Sequence, residues 1–176
     1  MRLETARFLL REFRHDDLEA FRAYQTDERY VALRSANEDI GPPPEDLLAL
    51  FIGWQDDEPR LCWQLAVEDR ASGSLIGTAG LRRSAAKARE AEFGIELAPA
   101  QWGRHRAAIE IAQAVMEFGF RALEVDTIIG RSTAGNSAVA RLARHAGAEL
   151  LTESAVGGAA GSAVAWRVTR RAWEAR

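Results

Sequence analysis

Apolar and polar positions along the chain change period several times, and each change marks an element. Arg7 to Phe13 alternates as a short strand, with Phe8, Leu10 and Glu12 opposite Leu9, Arg11 and Phe13. His15-Asp16-Asp17 opens a helix with an aspartate available as N-cap, and Leu18, Phe21 and Tyr24 follow at helical spacing. Gly41-Pro42-Pro43-Pro44 is a rigid break. A second helix follows over 45–55, with Leu47, Leu48, Phe51 and Ile52 on its buried side. Leu61 to Glu68 then alternates, Asp69 to Gly73 turns, and Ser74 to Leu81 is the next strand, in which Gly77 and Gly80 imply a close backbone approach or a bulge. Glu90 to Leu97 is the third strand of this group. It carries Phe93, Ile95 and Leu97 on one side and Glu92, Gly94 and Glu96 on the other. Arg82, Arg83, Lys87 and Arg89 flank the intervening turn and read as a solvated hairpin tip.

Pro99 ends that strand, and a helix over 106–122 follows, with Ala108, Ile111, Val115, Phe118 and Ala122 at helical spacing and Met116, Phe120 and Leu123 widening the stripe. Val125 to Arg131 is a buried strand. Asn136 to His145 is a helix closed by Gly147, and two strands near Glu149–Glu153 and Ala163–Thr169 are joined through the glycines from Gly157 to Gly161. This order predicts an α/β (α+β) fold: one mixed, mostly antiparallel sheet of about seven strands with about four helices, in a single domain spanning 1–176. It also sets a helix N-terminus at the carboxyl end of a central strand, where unpaired amides and the helix dipole favour an anionic group.

Composition narrows the chemistry. With 47% hydrophobic and 28% charged residues the chain has the profile of a soluble globular protein, and a net charge of −3 lacks the cationic surface that nucleic acid requires. Cys62 is the only cysteine, so no intramolecular disulfide forms, as suits a reducing cytoplasm; it reads as a small strand hydrophobe, not a nucleophile. No secretory signal or membrane span is visible, because charges interrupt the N-terminal apolar residues and glycines break the stretch 151–166. His15, His105 and His145 have no partners at metal-ligand spacing. The chain has no P-loop and no nucleophile elbow.

Four stretches in order resemble the RimJ/RimL branch of the GNAT N-acetyltransferases: Val67 to Gly77, Glu92 to Leu97, Trp102 to Glu110 and Asn136 to Gly147. The resemblance implies a GNAT fold and transfer of an acetyl group from acetyl-CoA to a primary amine, on a peptide N-terminus or a small molecule, by direct attack and without a metal. It implies that Trp102, Gly103, Arg104, His105, Arg106 and Ala107 form the coenzyme A loop and helix start. The pantetheine arm would then run beside Ile95 and Leu97, between the strands 92–97 and 125–131, with Asn136 near the thiol. A backbone N–H of the 92–97 strand would meet the oxyanion. Glu92 is the candidate base that takes a proton from the attacking amine; the alternative is a carboxylate facing a solvated groove or paired with an arginine. Trp102 reads as packing beneath the loop.

Two departures from the family's pattern bear on activity. His105 stands where the loop usually carries glycine, and it either obstructs the pyrophosphate or hydrogen-bonds it. Val139 and Ala143 stand where family members place a serine or a thiolate-protonating tyrosine, so a scaffold that binds acyl-CoA with little turnover is a second reading. The acceptor would be selected by 17–55 and 151–166, and a homodimer through the late strands is compatible with the pattern.

Overall fold

The computed structural model describes residues 1–36, 41–133, 135–151 and 163–176. Strands β1 (Arg2–Glu4) and β2 (Phe8–Glu12) lead into helices α1 (Leu18–Gln25), α2 (Glu28–Ala36) and α3 (Pro44–Gly53). The meander β3 (Cys62–Asp69), β4 (Leu75–Ser84) and β5 (Lys87–Leu97) follows. The chain continues through α4 (His105–Arg121), β6 (Thr127–Thr133), α5 (Ser137–His145), β7 (Glu149–Leu151), β8 (Ala163–Thr169) and α6 (Arg170–Glu174). The expected mixed sheet is present, but it has eight strands in the order β1-β2-β3-β4-β5-β6-β8-β7, and six α-helices are formed among the described residues. The elements absent from the sequence reading are β1, α2 and α6. They are short or weakly patterned: α2 buries Tyr30 but exposes Val31 and Leu33. The Gly157–Gly161 connection and Glu153 lie outside the described residues.

Two apolar cores sandwich the sheet. Ile111, Val115 and Phe120 of α4 pack onto Leu10, Leu65, Leu81 and Ile128 on one face. Phe21 and Tyr24 of α1, Tyr30 of α2, and Leu48 and Phe51 of α3 pack with Phe13 and Ala66 on the other. The α4 stripe is shifted from the sequence reading, since Ala107 and Ala112 are buried whereas Ala122 is exposed. At Gly119 an added Cβ would come within 2.6 Å of Leu81, so α4 seats directly on the sheet there.

The entry to α1 also differs from expectation. Asp17 occupies the N-cap position of α1 but makes no side-chain capping bond to it; His15–Asp17 is a single 3-10 turn. Asp17 turns back to accept the Arg14 amide and pairs with the Arg11 guanidinium at 2.7 Å, while Arg11 also reaches Glu68 at 2.9 Å. This nearly buried set ties β2, β3 and the start of α1 together. The glycines of β4 behave as their positions implied. A Cβ on Gly80 would meet the Trp63 carbonyl oxygen at 2.0 Å, and the β3–β4 register shifts next to the Val67–Gly77 pair.

Candidate functional site

All neighbouring strands in the sheet are antiparallel except β5 and β6, and it is there that the sheet opens. The parallel pair runs from Glu90 opposite Thr127 to Phe93 opposite Gly130 and stops. Beyond it β5 continues against β4 as far as Leu97, and β6 continues against β8 as far as Thr133. The facing edges of 94–97 and 131–133 are therefore left without each other's backbone hydrogen bonds, and unpaired strand edges receive an extended ligand well.

A cleft of about 190 Å³ occupies this divergence. That is small beside the pockets that enclose whole ligands, so it fits a slender arm while any bulky portion lies outside. The cleft has two kinds of wall. On the α4–α5 side it is apolar, with Met116, Ile128, Val139, Leu142 and Ala143. On the α1–α3 side it is polar, with Arg82, Glu92, Gly94, Glu96 and Arg131. The division follows from strand alternation: Ile128 pairs across to Ala91 and shares its face with the core, whereas Glu92, registered with Arg82 and Ile129, points the other way.

Glu92 is 43% exposed, 3.7 Å from Arg82 and 3.6 Å from Arg131. Two guanidinium groups are therefore its neighbours, the arginine-paired arrangement that the sequence had left open beside the catalytic one. Arg82 in turn lies within β4, which runs on to Ser84, and lines the cleft opposite Glu92, so it is not part of the hairpin tip. A Cβ at Gly94 would stand 3.0 Å from the Arg82 Nη2.

Glu96 lies two alternations further along the same face. Its Oε2 accepts the Tyr30 hydroxyl at 2.7 Å and the Gln25 amide at 3.0 Å. Burial, and next the charge of Glu96, hold the Tyr30 phenol well above its ordinary range, so it serves as an O–H donor. Gln25 Oε1 accepts Arg34 Nη1 at 3.2 Å. The cluster was not visible in the sequence, because Gln25 and Tyr30 come from α1 and the weakly patterned α2, some 70 residues upstream of Glu96.

At the carboxyl end of β5 a 3-10 turn over Pro99–Gln101 leads to Trp102, Gly103 and Arg104 and into α4. Trp102 is 42% exposed and donates its indole N–H to the Leu97 carbonyl at 2.8 Å, so it straps the loop to β5 from outside and does not pack beneath it. Gly103 has φ +80°, a conformation that suits glycine, with open space where a side chain would project. Arg104 and Arg106 are exposed around the first turn of α4, whereas Ala107 is buried. The His105 side chain, on which both readings of the loop depended, lies outside the described residues. Ile95 and Leu97 are partly buried against the core; Ile95 lines the cleft and Leu97 follows at its outer end.

Asn136 is the N-cap of α5 through its side chain, which accepts the Val139 amide at 3.1 Å. At the other end Gly147, with φ +68°, closes a Schellman turn: its amide reaches the Arg144 carbonyl and the Ala148 amide the Ala143 carbonyl. Both ends of α5 are thus fixed, and Val139 and Ala143 are held in the cleft wall. The wall also contains a residue that sequence reasoning missed. Trp166 of β8 is registered with Gly130 where the strands part, and its buried indole N–H has no partner among the described residues. A donor so placed is available to water or to a bound group. Cys62 lies outside the cleft lining, and burial pushes its thiol up against a weaker pull from Arg82. Among the described residues no cluster of metal-ligating side chains occurs, and no helix is long and apolar enough to cross a membrane.

Comparison with known proteins bears on this arrangement. The family model for the acetyltransferase (GNAT) domain matches residues 7–149. An uncharacterized N-acetyltransferase, YoaA of Bacillus subtilis (strain 168), is 33% identical over 129 residues, covering 72% of this chain and 70% of the relative. Among solved structures, the ribosomal-protein-S5-alanine acetyltransferase of Vibrio fischeri superposes with a TM-score of 0.78 at 14% identity, covering 98% of each chain. The spermidine N-acetyltransferase of Vibrio cholerae, solved in complex with CoA and spermine, gives 0.74 at 19% identity, covering 97% of this chain and 99% of that one.

Proposed function

The chain belongs to the GNAT acetyltransferases, and from that premise we propose that residues 1–176 form one acetyl-CoA-dependent N-acetyltransferase of RimJ/RimL-like type, working in the cytoplasm on a primary amine. The observation that carries this reading is the divergence of β5 and β6 into a cleft with one apolar and one polar wall. Acetyl-CoA supplies the acetyl group as a reactive thioester. The first-turn amides of α4, the loop at Gly103 and the charges of Arg104 and Arg106 suit its pyrophosphate. Trp102, His105 and Ala107 belong to the same loop and helix start. The open edges of β5 and β6, with Ile95 and Leu97, suit the pantetheine arm, with the Trp166 N–H a donor where the strands part and the Asn136 amide a donor beyond the carboxyl end of β6.

The amine enters from the polar face. Glu92 accepts its proton, directly or through a water, and Arg82 and Arg131 hold that carboxylate in place. A backbone amide of β5 beyond Phe93 meets the developing oxyanion. The acceptor is a small-molecule amine or a peptide N-terminus, classes that the spermidine and ribosomal-protein enzymes named above represent. A homodimer would use the exposed edge of β7. A second reading rests on the cleft wall itself. Val139 and Ala143 offer no proton to the departing thiolate, which favours slow turnover or an acyl-CoA-binding role.

Calorimetric titration with acetyl-CoA and with free coenzyme A, followed by thiol release across an amine panel, tests both readings. Micromolar binding with amine-dependent thiol release that Glu92→Gln abolishes is the expected result. Binding without release favours the second reading, and no binding overturns both.

A further inference from the structure

Two carboxylates line the polar wall, and their surroundings divide their work. Glu92 sits between two guanidinium groups, so its charge is already met by protein. Glu96 is about 13 Å further along the same face of β5. It has no ion-pair partner within 4 Å among the described residues. What holds it instead is a pair of neutral donors, the Tyr30 hydroxyl and the Gln25 amide, both from residues at least 94% buried. Both bonds go to Oε2, which anchors the carboxylate and leaves Oε1 without a partner among the described residues. A rigidly oriented anion that faces a ligand cleft with no direct ion pair among the described residues, the neighbouring Arg34 guanidinium being held on Gln25 and over the Tyr30 ring, is built to receive a cation from the ligand. The attacking nitrogen must be neutral when it reacts, so the cation held at Glu96 is a second one.

We propose that Glu96 is the specificity-determining residue for the acceptor, receiving a second ammonium group of a diamine or longer polyamine, and that Tyr30 and Gln25 are its positioning residues. The inference rests on the acetyltransferase reading given above, which it deepens. It requires that discrimination between a diamine and a monoamine of equal length reside in Glu96 and in the two side chains that orient it.

The test is calorimetric titration of the full chain, with coenzyme A present, using 1,4-diaminobutane and butylamine as probes. Wild type, Glu96→Gln and Tyr30→Phe are compared, with thermal melts to confirm folding. Wild type is expected to bind the diamine more tightly than the monoamine. Glu96→Gln should weaken diamine binding roughly 10- to 100-fold and leave butylamine unchanged, as loss of a charge-assisted hydrogen bond predicts. Tyr30→Phe should give a smaller loss of the same selectivity, which general destabilisation would not produce. Equal affinity of wild type for both probes, or equal losses for both in Glu96→Gln, would overturn the assignment. Thiol release from acetyl-CoA is followed separately. Selective binding through Glu96 without release would remove the enzymatic reading and leave the Glu96 assignment standing. Release with unchanged selectivity in Glu96→Gln would do the reverse.

Discussion

Asn136 carries two roles that one pair of substitutions separates: it caps α5, and it is a proposed donor to the cofactor. Its Oδ1 holds the Val139 amide at 3.1 Å, and the far end of this nine-residue helix is independently closed at Gly147. Asn136→Ala therefore removes one capping bond at one end, which costs about 1 kcal/mol. For a chain of this size that lowers the melting temperature by about 2–4 °C. Aspartate caps about as well as asparagine, so Asn136→Asp should melt within roughly 0.5 kcal/mol of wild type while losing the NH2 donor. If that donor serves the pantetheine arm, losing one neutral hydrogen bond weakens coenzyme A binding roughly 2- to 12-fold. Asn136→Ala should bind at least as poorly, because the frayed turn also carries Val139 in the cleft wall. The assays are thermal denaturation followed by circular dichroism and calorimetric titration with coenzyme A. An Asn136→Asp protein that melts with Asn136→Ala would refute the capping argument. One that binds coenzyme A like wild type would refute the donor role.

Further expectations concern the cleft, the sheet and pH. Val139→Ser places a hydroxyl where the cleft wall is apolar, and kcat for thiol release should rise several-fold with coenzyme A affinity unchanged; an unchanged kcat would show that water already protonates the thiolate adequately. Gly80→Ala should cost about 1–3 kcal/mol in urea denaturation, because its Cβ would meet the Trp63 carbonyl at 2.0 Å and backbone cannot move aside cheaply. Gly130→Ala, whose Cβ enters open space, should stay within about 0.5 kcal/mol of wild type. Partial burial alone would raise the Glu110 carboxyl, but hydrogen bonds from Thr5 and from the Arg7 amide and guanidinium outweigh it and hold it below the usual carboxylate range. A depressed carboxylate stabilises the fold above its unfolded value of about 4.3, and the effect is lost as pH falls through the folded one. Wild type should therefore be more stable than Glu110→Gln at pH 7, with the gap closing below about pH 5. A gap that does not narrow as pH falls from 7 into the acid range would disprove the linkage.

Periodicity made α3, α4 and α5 legible, because each buries one stripe, as Ile111 and Val115 do every fourth residue, whereas β3 and β4 are covered on both faces and were legible as short apolar runs between turns. Caps were legible for a similar reason. Asn136 and Gly147 act through bonds to residues three or four positions away, so their partners are fixed by chain spacing. Where context decides, local signals failed. Asp17 could have capped a helix but is drawn into the pair with Arg11. Alternation put Glu92 and Glu96 on one face; it carried no information about what would stand opposite them.

That the chain folds as a GNAT acetyltransferase domain, with Glu92 on a strand, 102–107 at a helix start and Asn136 at a helix cap in that order, was legible in sequence alone, since each of those local features depends on neighbours within a few residues. Only the tertiary structure decided that Arg82 and Arg131 flank Glu92, that Tyr30 and Gln25 hold Glu96, and that the Trp166 N–H lies buried in the cleft without a partner among the described residues. Those relations join strands and helices far apart in the chain. They are set by sheet register and by which helix covers which face, and no local pattern encodes either.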